Sequence, residues 1–316
     1  MQNTVGQPIR IFIGSSFRNR VEEKVFVYSL LKHTRTPLEI NIINGETGSV
    51  TMHNGEEKRL PAIVTDRIKG ATAFSLARYA IPHWCNYEGK AIYCDSDQIS
   101  LADIAQLWNY DLADCAIAAV DVKQAESGKD YVNTFLQQLI ESPEAYYLTS
   151  VMLLDCAKLK HWSIESIIQG LNSDRFSYSE LMFLGKTFLA HVPTSVTRLP
   201  SEWNHLDVLT PQSKIVHFTD LTSQPWLFHH NAVGAFWEKF YLEAVQQGFV
   251  ETDDIEQAYQ RNVISKRIKD LPQMTGIGGQ TTNYFWRTWA ATCFRFRKTV
   301  KAWLSLLRVR KQAISN

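Results

Sequence analysis

The 316-residue chain is short of long hydrophobic runs. No stretch approaches the roughly 18 consecutive apolar residues a bilayer-spanning helix needs, so no transmembrane helix is expected. Cysteine is scarce and odd in number: Cys85, Cys94, Cys115, Cys156 and Cys293, with no CxxC pair among them. That pattern suggests neither a disulfide framework nor a zinc site, and free thiols in a reducing cytosol are the simpler reading. No apolar segment follows the start, so a signal peptide is not expected. Internal repeats and low-complexity tracts are missing. Net charge is only +1, which gives the whole molecule no bias toward nucleic acid. Together these absences predict a cytoplasmic protein, free or peripheral on the inner membrane face. One further absence is local. No acidic residue follows Asp270, whereas Arg287, Arg295, Arg297, Lys298, Lys301, Arg308, Arg310 and Lys311 do. Such asymmetry suits an anionic surface partner.

What the chain does contain is an α/β pattern. Ile9–Ile13 is a short apolar run ending in Gly14-Ser15-Ser16, as a buried strand entering a polar turn would be. Asn19 is placed to cap a helix with Val21, Val25 and Tyr28 on one face, and Leu38–Ile43 reads as a second strand. Strand, helix and strand at this spacing open a parallel sheet. Residues 44–70 read as a long loop. A helical pattern covers 71–83, with Phe74, Ala77 and Ile81 on one face and Arg78 among them. Further strands are expected at 90–94, 116–122, 147–154 and 215–218, and a helix at about 101–108. Glycines 276, 278 and 279 mark a linker over 272–283. Beyond it, Trp286, Trp289, Cys293, Phe296, Val300, Trp303 and Leu307 step by three and four, which predicts one basic amphipathic helix over 285–311. The expected organisation is a catalytic domain over 1–270 and a linker with this helix over 271–316.

The chemistry gathers at strand ends. Asp95 and Asp97 follow the apolar run Ala91–Cys94 at i and i+2. Ligands collect beyond the carboxyl ends of strands in such sheets, and two adjacent carboxylates repel unless a cation intervenes. A hard cation held by carboxylates also bridges phosphate oxygens. His217 ends a second apolar strand, and imidazole suits a divalent transition metal beside carboxylates; a satisfied core histidine is the plain alternative. Arg78 on an apolar helix face requires an anionic partner.

Tyr93-Cys94-Asp95-Ser96-Asp97-Gln98, the following Asp103–Trp108, and His217-Phe218-Thr219-Asp220 with Gln224-Pro225-Trp226 together resemble glycosyltransferase family 8. The resemblance spans roughly residues 9 to 230. It implies a GT-A type, Rossmann-like mixed sheet flanked by helices. It also implies a metal-dependent hexosyltransferase: a UDP-hexose donor, Mn2+ (or Mg2+), a glycan or lipid-linked acceptor, and retention of anomeric configuration. By the same resemblance Asp95, Asp97 and His217 hold the metal, with Asp95 also facing the donor. Arg78 braces the donor or the first carboxylate, and Gly14 and Ser15 meet the nucleotide. Glu180 stands for an acidic catalytic residue near the donor sugar. Two departures are visible. The family's Asn-Ser-Gly reads Leu148-Thr149-Ser150 here, and Asp220 and Gln224 replace a glycine and a lysine, leaving Gln224 to face the diphosphate. The residues leave two other readings open, a nucleotidyltransferase and a non-catalytic sugar-nucleotide-binding, membrane-associated protein. Against the first, Gly14-Ser15-Ser16 is too short for a phosphate-cradling glycine loop.

Overall fold

The computed structural model describes residues 7–60, 74–128 and 134–274. The helix expected at 285–311, most of its linker, and residues 61–70 of the expected loop lie outside them. Two compact units divide between Thr219 and Asp220.

The first unit is built on an eight-stranded mixed sheet. Its strands are β1 (Ile9–Ser15), β2 (Leu38–Asn44), β3 (Ser49–Thr51), β4 (Glu57–Arg59), β5 (Lys90–Asp95), β7 (Ile117–Asp121), β8 (Tyr147–Asp155) and β9 (Val196–Leu199). A sixth strand in chain order, β6 (Gln98–Ser100), belongs elsewhere. The sheet order is β4-β3-β2-β1-β5-β8-β7-β9. β1 pairs parallel with β2 and β5, and β8 runs antiparallel to β5 and β7. The central strands are apolar on both faces: Ile11 to Ile13, Ala91 to Cys94, Ile117 to Val120 and Val151 to Leu154 are all buried. Cover on both sides of the sheet makes continuous rather than alternating apolar runs the stable pattern. Helix α1 (Arg20–His33) buries Val21 and Val25, as expected. Asn19 does occupy its N-cap position, but its side chain makes no capping bond.

Three local expectations are corrected. Residues 49–59 are not all loop: β3 and β4 form a hairpin on the sheet edge. Gly48 (φ 62°) and Gly55 (φ 84°) supply left-handed turns at its two ends. The pattern is faint because Val50 alone of these strand residues is an apolar core residue. The helix over 71–83 is broken. Helix α2 (Phe74–Ala77) gives way to a 3-10 turn, Arg78–Ala80, and then to α3 (Ile81–Trp84). Pro82 has no N–H for the Arg78 carbonyl, so Ile81 donates to it instead and the turn tightens. Of the helix expected at 101–108, only Ala105–Trp108 forms.

A second, three-stranded sheet joins β10 (His205–Leu206), β11 (Ile215–His217) and β6 in the order β10-β11-β6. The Asp-Ser-Asp segment is the passage from one sheet to the other. Ser96 N–H donates to the Gly14 carbonyl (3.0 Å), continuing the large sheet. The Asp97 carbonyl accepts from Phe218 N–H (2.9 Å), beginning the small one.

The second unit is helical, with Gly234–Gln246, Thr252–Gln260 and Lys266–Asp270. Trp226 packs on Trp237, which stacks on Tyr241. Arg267 pairs with Glu238 and donates to the Pro225 carbonyl (2.9 Å). Of the expected segment 271–316, only Leu271–Met274 is described, as a 3-10 turn packed near the helix Gly234–Gln246. No helix among the described residues is long and apolar enough to cross a membrane.

Candidate metal and donor site

β5 delivers Asp95 and the inter-sheet passage delivers Asp97, so each carboxylate is anchored by a different sheet. β11 returns His217 opposite Gln98, by antiparallel pairing. The result is three ligand atoms, one each from Asp95, Asp97 and His217, all within 4.8 Å of one another. Asp97 Oδ1 lies 3.0 Å from His217 Nε2. Asp97 Oδ1 is buried, and this ion pair with the histidine is its contact in the absence of a regular hydrogen bond. A buried carboxylate oxygen is costly unless something binds it.

The histidine ring is oriented by its neighbours. Its Nδ1 lies 3.1 Å from Asn204 Oδ1. Asn204 Nδ2 in turn donates to Ser150 Oγ (2.8 Å), which leaves Oδ1 as the acceptor toward the ring. Nδ1 therefore carries a hydrogen, and Nε2, turned toward Asp97, is the ring nitrogen placed to bind a metal once it is unprotonated. Gln98 Nε2 donates to the Ser150 carbonyl (2.9 Å), tying this relay to β8. Burial opposes a charge on His217, but Asp97, Asp95 and Asp207 outweigh it and hold its pKa above the ordinary value.

Asp95 has a different setting. Burial raises its pKa, the Arg78 guanidinium opposes that, Asp97 adds to it, and the net direction is upward. Arg78 Nη2 donates to Asp95 Oδ1 (3.2 Å), and Tyr93 Oη donates to the same oxygen. Arg78 is itself 2 % exposed. It donates through Nη1 to the Thr149 carbonyl (2.9 Å) and Oγ1 (2.8 Å), and its guanidinium lies over the Tyr93 ring. Of the two roles expected for Arg78, the structure displays the brace on the first carboxylate.

Gly14 pairs in register with Asp95, and buried Ser15 follows it, so both expected nucleotide-facing residues stand beside the carboxylates. Gln224 belongs to the second unit. Glu180, the acidic residue expected near the donor sugar, is hydrogen-bonded through both carboxylate oxygens. Its Oε2 accepts from the Thr187 (2.8 Å) and Phe188 (3.4 Å) N–H groups, at the start of the helix Lys186–His191, and Oε1 accepts from Tyr146 Oη (2.9 Å). In this arrangement it caps that helix. The roles of Asn204, Ser150 and Thr149 are not legible in the sequence. Ser150 and Thr149 do stand at the departure from the family's Asn-Ser-Gly, which was the one available signal. Asn204 has none, since only the fold brings it to the histidine.

The fold is of the GT-A type: a mixed α/β sheet whose parallel strand ends in an Asp-x-Asp passage, with a histidine returned to it. The chain belongs to glycosyl transferase family 8, whose model matches residues 24–240. It is similar to Protein CDI of Arabidopsis thaliana, 25% identical over 235 residues, covering 73% of this chain and 81% of that protein. Among solved structures, its fold is like that of galactosyltransferase LgtC in complex with donor and acceptor sugar analogs (TM-score 0.54, 13% identity, 77% of this chain and 100% of that one). It is also like the bifunctional glycosyltransferase WbbM in its apo structure (TM-score 0.54, 15% identity, 83% of this chain). The chain spans about half the length of WbbM, 53% of it.

Proposed function

We propose that the chain moves a hexose from a UDP-sugar to a glycan or lipid-linked acceptor with retention of configuration, using manganese or magnesium held by Asp95, Asp97 and His217. The observation that carries this is the convergence of one ligand atom each from Asp95, Asp97 and His217 within 4.8 Å, with Asn204 orienting the histidine ring. Two carboxylates and one imidazole also suit those ions by ligand chemistry. When bound, such an ion neutralises charge developing on the leaving diphosphate.

The protein's own residues do the rest. Arg78 and Tyr93 fix Asp95 in one orientation through its Oδ1. Asn204 and Ser150 orient His217. Gly14 and Ser15, at the end of β1, are proposed to meet the nucleotide. With Glu180 engaged as a cap, no carboxylate is assigned as nucleophile, and attack on the same face as the departing UDP is the route we favour. The basic segment 285–311 is proposed to dock on an anionic membrane face, where each basic residue contributes about 1 kcal/mol.

The test is UDP release from a donor panel with manganese, magnesium or a chelator. Metal-dependent release from a UDP-hexose is expected. Release unaffected by exhaustive chelation overturns the metal reading, and pyrophosphate release points to a nucleotidyltransferase. Membrane docking is read by vesicle co-sedimentation, comparing the full chain with one ending at Gly279; equal partitioning of the two refutes it.

A further inference from the structure

β8 departs from a regular strand beside the carboxylate site. Its neighbour β7 pairs Ala119 with Met152 and the next residue, Val120, with Leu148. Residues 149–151 of β8 therefore have no counterpart on β7, and the strand bulges there. An odd number of extra residues reverses the alternation of side chains between the two faces of a sheet. The packing shows the reversal. Tyr147, Met152 and Leu154 all join the hydrophobic cluster that Tyr93 and Ala119 enter. Yet Tyr147 and Met152 stand an odd number of positions apart, which in a regular strand would put them on opposite faces.

Regular alternation counted back from Met152 would turn Ser150, not Thr149, toward the face of Tyr93. The bulge presents Thr149 there instead. Its Oγ1 accepts from Arg78 Nη1 (2.8 Å) and donates to the Met182 carbonyl (2.7 Å). Arg78 lies over the Tyr93 ring and donates to Asp95 Oδ1 (3.2 Å). Ser150, the next residue, accepts through Oγ from Asn204 Nδ2 (2.8 Å), whose Oδ1 faces His217 Nδ1 (3.1 Å). Side chains also take the two carbonyls at the bulge. Arg78 Nη1 donates to that of Thr149 (2.9 Å) and Gln98 Nε2 to that of Ser150 (2.9 Å). Both residues are buried, so backbone groups freed from the ladder require such partners.

We propose that the β8 bulge is a positioning device for the metal ligands, with Thr149 acting on Asp95 through Arg78 and Ser150 acting on His217 through Asn204. The proposal rests on the metal reading of Asp95, Asp97 and His217. Neither hydroxyl is a ligand; each fixes the group that holds one. A ligand presented in a single orientation binds more tightly than one that must be ordered on binding. Since the two hydroxyls belong to consecutive residues of one strand, the same short stretch of backbone sets both arms. The departure from the family's Asn-Ser-Gly thereby acquires a use, because a glycine in place of Ser150 would offer Asn204 no hydroxyl.

The experiment measures manganese binding to the full chain without donor, through the electron paramagnetic resonance signal of the free ion, below the melting temperature of every variant. Thr149→Val keeps the side-chain shape and removes the hydroxyl; Ser150→Ala removes the hydroxyl of the other arm. Each should weaken manganese binding about tenfold, the lower end of the loss expected when a group orienting a ligand is removed. Thr149→Ser keeps a hydroxyl and should restore the affinity that Thr149→Val loses. If Thr149→Val fails to fold, Thr149→Cys takes its place; a thiol is a weak donor and acceptor, so its shift should be smaller and in the same direction. An affinity equal to the parent's in either arm, with only the melting temperature lowered, overturns the proposal and leaves the bulge a structural feature. So does a Thr149→Ser variant that binds as weakly as Thr149→Val. A parent chain that binds no manganese is a different result, which overturns the metal reading and this proposal with it.

Discussion

Gly185→Ala tests the role of Glu180 without touching Glu180. Gly185 lies at the N-cap of the helix Lys186–His191 with φ −71°, a conformation open to alanine. Space is what forbids the substitution. A Cβ there would stand 2.3 Å from Glu180 Oε2 and 2.5 Å from its Cδ. The carboxylate must swing away, giving up its bonds from Thr187 and Phe188 N–H and from Tyr146 Oη. Loss of an N-cap costs about 1 kcal/mol, and loss of a hydrogen bond to a charged group about 1–2 kcal/mol. Partial exposure of the site keeps the sum near 2 kcal/mol, or roughly a 5 °C fall in melting temperature. In a Glu180→Ala background the obstacle is gone, and Gly185→Ala should be neutral or stabilising by about 0.5 kcal/mol through its effect on the unfolded chain. Thermal unfolding of the four proteins of this cycle gives the coupling directly. Additive effects would refute the capping argument. So would a Glu180→Ala variant that stays folded and as stable as the parent while turnover falls by orders of magnitude, since that result restores a catalytic carboxylate.

Three further substitutions probe the carboxylate site. Asp97→Asn should reduce metal-dependent UDP release at least about a hundredfold by removing a charged ligand, while the melting temperature without metal holds or rises, because repulsion with Asp95 is relieved; full activity refutes the assignment. Asn204→Ala should shift the manganese titration right by about 10- to 100-fold, as expected when a group orienting a histidine ligand is lost; an unshifted titration makes the Asn204–His217 bond purely structural. Arg78→Met should destabilise the fold by about 3 kcal/mol, since it leaves Asp95 without its buried partner; chemical denaturation showing no loss, with weakened donor binding, would instead move Arg78 to the donor.

How much of this was legible depended on burial. β1, β5, β7 and β8 announce themselves because both faces are covered and nearly every residue is apolar. The β3–β4 hairpin does not, because one valine is all it contributes to the apolar core. Pro82 was in view, yet its effect depends on which carbonyl it fails to satisfy, and that required the helix register. Within the site, Asp95, Asp97 and Arg78 could be read from chemistry that needs a partner: like charges at i and i+2, and a cation on an apolar face. His217 could be read only by resemblance, because an apolar strand histidine has a plain structural alternative. Asn204 was beyond reach, since a lone polar residue after Trp203 carries no pattern. Glu180 illustrates the converse. A carboxylate one turn into a short helix looks available until the next helix start is folded against it.

The passage of Asp95-Ser96-Asp97 from one sheet to the other also sets an order of events in synthesis. The large sheet's centre, β1, β2, β5, β7 and β8, is complete in sequence by Asp155. The small sheet waits for residues 205 to 217, since among the described residues β6 pairs with β11 alone. A nascent chain can therefore hold a nearly finished core while Asp97 still lacks its histidine. Non-local pairing of this kind forms late, so ion capture by the complete triad would follow folding of the core rather than nucleate it, and chelators present during refolding should leave the large sheet's formation rate unchanged.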